Sequence, residues 1–278
     1  MTPFIGSEAL ATRDLTSHAL RSRFSAVYPD VYLPRDQAPT AVERAEAAWL
    51  WSRRRGAIAG RSAAALHGAK WVDGRLPAQL LWGNRHSPSG IETWSDAVAE
   101  DELMTVDGIT VTTPARTALD IACRNPLNSA VASLDALARA TRLPMTEVAT
   151  LAQRHSGRRG IRRGRRAIAL VDPGAESPRE TWLRLLLIRA GFPAPATQIT
   201  VRNEYGVPVA SVDMGWERLK IAAEYDGEHH RMTRRQFDHD IHRAEILNEL
   251  GWIHIRVTAA DVEGDVLRRV RSAFARRT

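Results

Sequence analysis

The chain is predicted to be an α/β protein of the α+β kind, built from two domains, with a mixed sheet in the C-terminal one. Three observations predict this. At 278 residues it is long for a single hydrophobic core. Its apolar residues switch repeatedly between helical spacing and strand-like alternation. From residue 173 onward the patterns run helix, three strands, helix, strand, helix. With 44% hydrophobic and 26% charged residues, the composition is that of a folded, soluble protein.

The expected boundaries are 1–38, 39–152, 153–172 and 173–278. Residues 7–26 read as two short helices around Asp14-Leu15-Thr16, with Thr16 or Ser17 capping the second. Tyr28 to Pro34 is strand-like and suits a wing. Helix, turn, helix and wing is a DNA-binding layout, so residues 1–38 are predicted to contact DNA. An amphipathic helix follows over 40–55, carrying Val42, Ala45, Ala48, Trp49 and Trp51. Its end, Arg53-Arg54-Arg55-Gly56, places cations where a helix dipole favours them. Gly60 to Gly68 is a short capped helix stopped by glycine, with His67 as a packing residue rather than a ligand. Residues 78–83 and 103–112 are strand-like, the latter with a hairpin turn at Asp107-Gly108. Thr113 and Pro114 open a helix as cap and first-turn residue. Arg116 and Asp120 on that helix are spaced to pair. Helices over 127–141 and 144–155 complete this part.

A net charge of +7 points to an anionic partner, of which nucleic acid is the commonest. The densest basic run, 153–166, lies in an expected linker helix at 153–172. Arg158, Arg159, Arg162, Arg163, Arg165 and Arg166 are its candidate phosphate contacts; the plainer reading is a solvated basic face. No apolar stretch approaches the roughly 20 residues of a membrane span, and no secretory signal opens the chain, so a cytoplasmic protein is expected. Cys123 is the only cysteine, which excludes intramolecular disulfides and cysteine-based zinc sites; its apolar helical surroundings predict that it is buried.

In the last 106 positions, Ser177 caps a helix, Pro178 enters its first turn and Glu180 completes a capping box. The helix carries Trp182, Leu183, Leu186 and Leu187 and stops at Gly191. Val207–Met214 and Leu219–Asp226 read as strands, Thr233–Leu250 as a helix, Trp252–Val257 as a strand and Asp261–Arg277 as a helix. Three carboxylates, Asp213, Glu224 and Asp226, fall within fourteen positions. Such groups repel one another and are costly to desolvate unless a cation sits among them. Oxygen donors of this kind suit Mg²⁺ or Mn²⁺. A two-residue turn at Glu217-Arg218 would set Asp213 opposite Ala222, with Glu224 its diagonal neighbour at about 7 Å. A four-residue loop would keep the face but move Glu224 out of reach of Asp213. Asp226 shares the face by alternation, and Glu180 can point at the same place from its helix.

Two resemblances follow from these phrases. Ser62-Ala63-Ala64-Ala65-Leu66-His67-Gly68, a small sheet, and Thr113-Pro114-Ala115-Arg116-Thr117-Ala118-Leu119-Asp120 resemble the AbiEi-type antitoxin and transcriptional regulator family, over roughly the first half. That implies an operator-binding winged helix at 1–38 and an α+β domain at 39–152. The second half, 173–278, resembles the PD-(D/E)XK nuclease superfamily, whose domain has a restriction-endonuclease-like fold. It looks most like the branch related to very-short-patch-repair endonucleases. The phrases are Ser177 to Glu180, Val212-Asp213, Glu224 to Arg231, Asp240 to Arg243 and Gly251 to Val257. The resemblance implies Asp213 and Glu224 as ligands of Mg²⁺ or Mn²⁺. Asp226 stands where the superfamily has lysine, so His229, His230 or Arg231 must supply positive charge or proton transfer; His230 is the favoured acid/base, and Arg231 a DNA contact.

The main reading is therefore a metal-dependent DNA endonuclease, with catalytic candidates Asp213, Glu224, Asp226, His230 and Glu180, acting in repair or defence. Its rival is a non-catalytic DNA-binding regulator or antitoxin with a degenerate nuclease fold. A third reading is an interaction subunit with a toxin or defence-system partner. The carboxylates can also be read as a salt-bridge hub for arginines. Glu228, His229 and His230 with His239 or His242 can be read as a zinc cluster, which the opposed directions of adjacent strand residues disfavour.

Overall fold

The computed structural model describes residues 2–277 other than 37, 85 and 228–233, with the backbone alone at 234–240. Its chain divides into two units, Met1–Pro173 and Gly174–Thr278. The mixture of helices and mixed sheets is the α+β architecture that the residue patterns predict.

The first unit opens with β1 (Phe4–Ile5), α1 (Gly6–Ala11), α2 (Ser17–Arg23), β2 (Phe24–Tyr28) and β3 (Val31–Pro34). The three strands form an antiparallel sheet in the order β1-β3-β2. Thr16 caps α2 by accepting from Ala19 N at 3.1 Å. The β2–β3 turn is docked rather than free: Asp30 accepts from Ser7 N at 2.8 Å and from Arg53 at 2.7 Å. Next comes α3 (Ala41–Trp51), opened by a capping box of Thr40 and Glu43.

That helix stops at Trp51, short of the arginines expected in its last turn. Arg53 and Arg54 are left-handed, at φ 56° and 62°. They leave the helix axis and reach back to Asp30 and Glu8 respectively, each at 2.7 Å. A link to preceding elements therefore replaces the dipole role.

A second sheet, β6-β5-β4-β8-β7, uses β4 (Ala57–Ile58), β5 (Ala78–Leu81), β6 (Ile91–Trp94), β7 (Leu103–Val106) and β8 (Ile109–Thr112). Pairs β4/β8 and β5/β6 are parallel, and β4/β5 and β7/β8 antiparallel. Asp107 and Gly108, at φ 48° and 80°, turn the β7–β8 hairpin as predicted. Between β4 and β5, α4 (Gly60–Leu66) packs Ala63 into a core shared with Ile5, Val31, Ala45, Ala48, Ile58 and Leu80. His67 sets its ring Nε2 2.8 Å from Thr112 O, and burial lowers its pKa, so it is a packing group.

Four helices close the unit: α5 (Pro114–Arg124), α6 (Leu127–Thr141), α7 (Met145–Arg154) and α8 (Ile161–Ile168). Residues 153–172 fall inside it. There α8 lies so close to α5 that a Cβ at Gly164 would sit 2.8 Å from Cys123 Sγ. Cys123 is buried, as its sequence context predicts.

The second unit follows the predicted order: α9 (Pro178–Arg189), β9 (Ala196–Arg202), β10 (Pro208–Trp216), β11 (Ile221–Tyr225), α10 (Arg234–Glu249), β12 (Ile253–Val257) and α11 (Glu263–Ala275). The sheet runs β12-β11-β10-β9. β9, β10 and β11 are antiparallel neighbours, whereas β12 pairs parallel to β11. A parallel pair needs a crossover, which α10 supplies. Leu183, Leu187, Val266 and Val270 from α9 and α11 pack with Met214, Trp216, Ile221, Ala223, Ile255 and Val257 of the sheet. Alternation turns Asp213, Ala222, Glu224 and His254 to the other face. Among the described residues, no helix is long and apolar enough to cross a membrane.

Candidate functional site

The loop between β10 and β11 decides where the carboxylates meet. Glu217–Leu219 forms one 3-10 turn and Lys220, left-handed at φ 48°, closes it. Trp216 pairs with Ile221 and Met214 with Ala223, so the next pair along is Asp213 with Glu224. Asp213 N donates to Glu224 Oε1 at 3.3 Å. This corrects the register read from a two-residue turn. The four-residue loop brings Glu224 directly opposite Asp213 instead of removing it. Two added loop residues keep the face, because side chains alternate, and shift the partner of Asp213 from Ala222 to Glu224. Gly215 lets the strands close at this point: a Cβ there would lie 2.2 Å from Ile221 O.

Glu224 is buried and doubly occupied. Arg243, from α10, donates to its Oε1, and His254, from β12, meets its Oε2. Burial alone would raise the Glu224 carboxyl; the His254 hydrogen bond and the charges of His254 and Arg243 hold it below the usual value instead. For Asp213 the balance runs the other way. Burial first, then the charges of Glu224 and Glu180, push it up to about 7, and the charge of Arg243 offsets only part of this. Glu180 is thus within electrostatic reach of Asp213. Its backbone N donates to Ser177 Oγ at 3.2 Å, the helix cap. Its carboxylate accepts from Glu176 N at 2.8 Å, one residue before the Ser177 N–H that a capping box requires. Asp226 forms an ion pair with Arg256 and donates its N–H to Val257 O at 2.7 Å.

Cationic side chains of the same sheet and its crossover helix therefore satisfy Glu224 and Asp226, the arrangement of a salt-bridge hub. Oxygen donors of the Asp213–Glu224 pair have the chemistry to hold Mg²⁺ or Mn²⁺, and an ion there would compete with Arg243 and His254 for the oxygens of Glu224. Among the described residues, no three of His, Cys, Asp and Glu form a metal-holding group. His230 and Arg231 lie outside the described residues, as do His229 and Glu228; the side chains of His239 and Asp240 lie outside them too. His254, Arg243 and Arg256 lie in phrases that carry the resemblance, but the residue patterns gave them no role at this site. Only pairing of β12 to β11, Ala222 with His254 and Glu224 with Arg256, brings the two strand residues to this place. The alternation of Ile253-His254-Ile255-Arg256-Val257 was the available signal.

The basic residues separate by direction. Arg158 turns inward to Asp96, at 2.7 Å, and to Asp120. Arg163 donates to Cys123 O, and Arg165 to Ala152 O at 3.3 Å. Arg163 and Arg165 are nonetheless exposed, as are Arg159, Arg162 and Arg166. At the other end of the unit, α2 exposes His18, Arg21 and Arg23. Arg116 and Asp120 do pair, at 3.0 Å, but both are fully buried in a larger network. Arg116 also donates to Ala97 O at 3.0 Å and to Glu102. His155 meets Glu102 at 2.8 Å. Burial opposes ionisation of Glu102, and hydrogen bonds from His155 and Arg116 overcome it to lower its pKa.

Residues 56–172 match the family described as the AbiEi antitoxin C-terminal domain. Two uncharacterized proteins, from two strains of Mycobacterium tuberculosis, are each 32% identical to this chain over 160 residues. The match covers 58% of this chain and 59% of each relative, so the chain spans less than two thirds of their length. No solved structure matches.

Proposed function

We propose that this chain is a DNA-binding regulator of antitoxin type. The match of residues 56–172 to the antitoxin domain carries the reading. The helix-turn-helix of α1 and α2, with the β2–β3 hairpin behind it, supplies a DNA-reading element, and α2 offers exposed cations to phosphates. A toxin is the partner that the family description implies. Charge reversal at Arg21 and Arg23 should weaken binding of duplex DNA at least ~10-fold near 0.1 M salt and flatten its salt dependence. Fluorescence anisotropy across a salt series measures both. Unchanged affinity in the double variant R21E/R23E would refute a DNA-contacting role for α2.

A second reading, phosphodiester hydrolysis in the C-terminal unit, is favoured by one observation: Asp213 and Glu224 stand directly opposite each other, with Glu180 in electrostatic reach. A bound Mg²⁺ or Mn²⁺ would polarise a phosphate and acidify a water. Asp213 and Glu224 would hold it. His254, whose ring meets Glu224 Oε2, would then serve proton transfer at this face, the role that the sequence assigns to His230. Incubation of single- and double-stranded DNA with the protein and either ion checks this. Metal-dependent cutting that disappears in both D213A and E224A supports hydrolysis; binding without cutting, unaltered in either variant, sinks it.

A further inference from the structure

Between α5, residues 96–97 after β6, and residues 155–163, which lead into α8, lies a cleft of two lobes, about 460 Å³ and about 370 Å³, which share Asp96, Arg158 and Arg159. Arg124 and Arg163 complete the polar lining of the larger lobe, and Arg116 lines the smaller. Among the described residues, five arginines thus surround this space against the single lining acid Asp96, with Asp120 and Glu102 behind it. Those acids do not saturate the guanidinium donors, and Asp120 Oδ2 is itself buried without a hydrogen-bond partner among the described residues. Arg116 Nη2 and Arg158 Nη1 are buried without a hydrogen-bond partner among the described residues. The Arg116 side chain is fully buried and that of Arg158 is 9% exposed. Arg159 stands exposed at the rim of both lobes.

Planar guanidinium forks with unused N–H groups, in excess over carboxylates, match the oxygens of phosphate groups. Depth decides the kind of phosphate. A duplex backbone lying on the surface can touch Arg159, Arg162 or Arg166, but the donors of Arg116 and Arg158 lie below its reach. A short phosphate chain fits lobes of this size, which fall in the range of small-ligand pockets. We propose that this cleft binds the phosphate chain of a small nucleotide, with Arg158 and Arg116 as its inner anchors and Arg159 as its outer one.

Calorimetric titration of the full chain with inorganic pyrophosphate and with ATP tests the assignment, with labelled duplex DNA titrated in parallel. Both small ligands should bind at one site. Arg159→Glu should weaken them at least ~10-fold, and Arg162→Glu, on α8 but outside the lining, should not. A circular-dichroism spectrum confirms folding of each variant. If Arg159→Glu does not fold, thermal unfolding of the unaltered protein decides: about 10 mM pyrophosphate must raise its Tm by mass action. Absence of binding by both ligands, equal loss in the two variants, indifference to Arg159→Glu, or an effect of that change on DNA alone would each overturn the proposal.

Discussion

Replacing Arg116 with methionine is expected to lower the unfolding free energy of the first unit by ~3 kcal/mol or more. The guanidinium is fully buried and holds Asp120 at 3.0 Å, Glu102, and the carbonyl of Ala97. Methionine fills much of the same volume, so lost packing is a minor part of the effect. The cost arises from two carboxylates left in a low-dielectric interior with less positive charge beside them. Arg158 on Asp120 and His155 on Glu102 remain, which keeps the loss from growing larger. Neutralising the acids should recover part of it: R116M with E102Q and D120N is expected to be more stable than R116M alone. Urea unfolding followed by circular dichroism reads both numbers. A loss under ~1 kcal/mol, or no recovery in the triple variant, would show that the network is not a stabilising unit.

Asp213→Asn is expected to stabilise the second unit at pH 8, by ~2–4 kcal/mol once the solvent that still reaches this half-buried side chain is discounted. Asp213 titrates near 7 in the folded protein against an ordinary 3.8. Below 3.8 both states hold the proton and the group contributes no pH dependence. Between 3.8 and 7 the folded state holds a proton that the unfolded state has released, so stability falls as pH rises. Above 7 both are ionised and the loss is complete. Asparagine keeps the acceptor for the backbone N–H of Tyr225 and removes the charge. The gain of the variant should therefore vanish toward pH 4 and reach a plateau above pH 7. Glu224 has the opposite sign: its lowered pKa gives stability at neutral pH that is lost in acid, and the D213N variant should retain that limb. Unfolding across pH 4–8 measures the difference. A gain independent of pH would mean that Asp213 is not the strained group.

Much of the fold is legible in the residues because its signals are local. Thr16, Thr113 and Ser177 cap the helices that follow them, as their sequence context predicts, and Thr40, expected as the first residue of a helix, caps one instead. The Asp107-Gly108 turn and the helix-strand order after residue 173 depend on residues close in sequence. Expectation and structure part where a count of one or two residues carries long-range consequences. The 217–220 loop is longer than its residues suggest, because Glu217–Leu219 takes a 3-10 turn; that alone moves the partner of Asp213 from Ala222 to Glu224. The end of α3 differs from its expected position for a related reason. Arg53 and Arg54 are good helix formers, yet ion pairs to Asp30 and Glu8, more than twenty positions away, hold them left-handed.

The sequence by itself determined that Asp213 and Glu224 would share one sheet face, that Thr113 and Pro114 would begin a helix bearing an Arg116–Asp120 pair, and that the protein would be strongly basic. Each of these depends on alternation, caps or composition, which are properties of neighbouring residues. Only the tertiary structure decided what those charges do. Parallel pairing of β12 with β11 placed His254 and Arg256 beside Glu224 and Asp226, and the crossover helix brought Arg243 to the same glutamate. Close packing of α8 on α5 turned Arg158 inward while Arg159 and Arg162 stayed in solvent. Charge is written in the chain, but its compensation depends on distances of a few ångströms between segments far apart in sequence, and packing alone sets those distances.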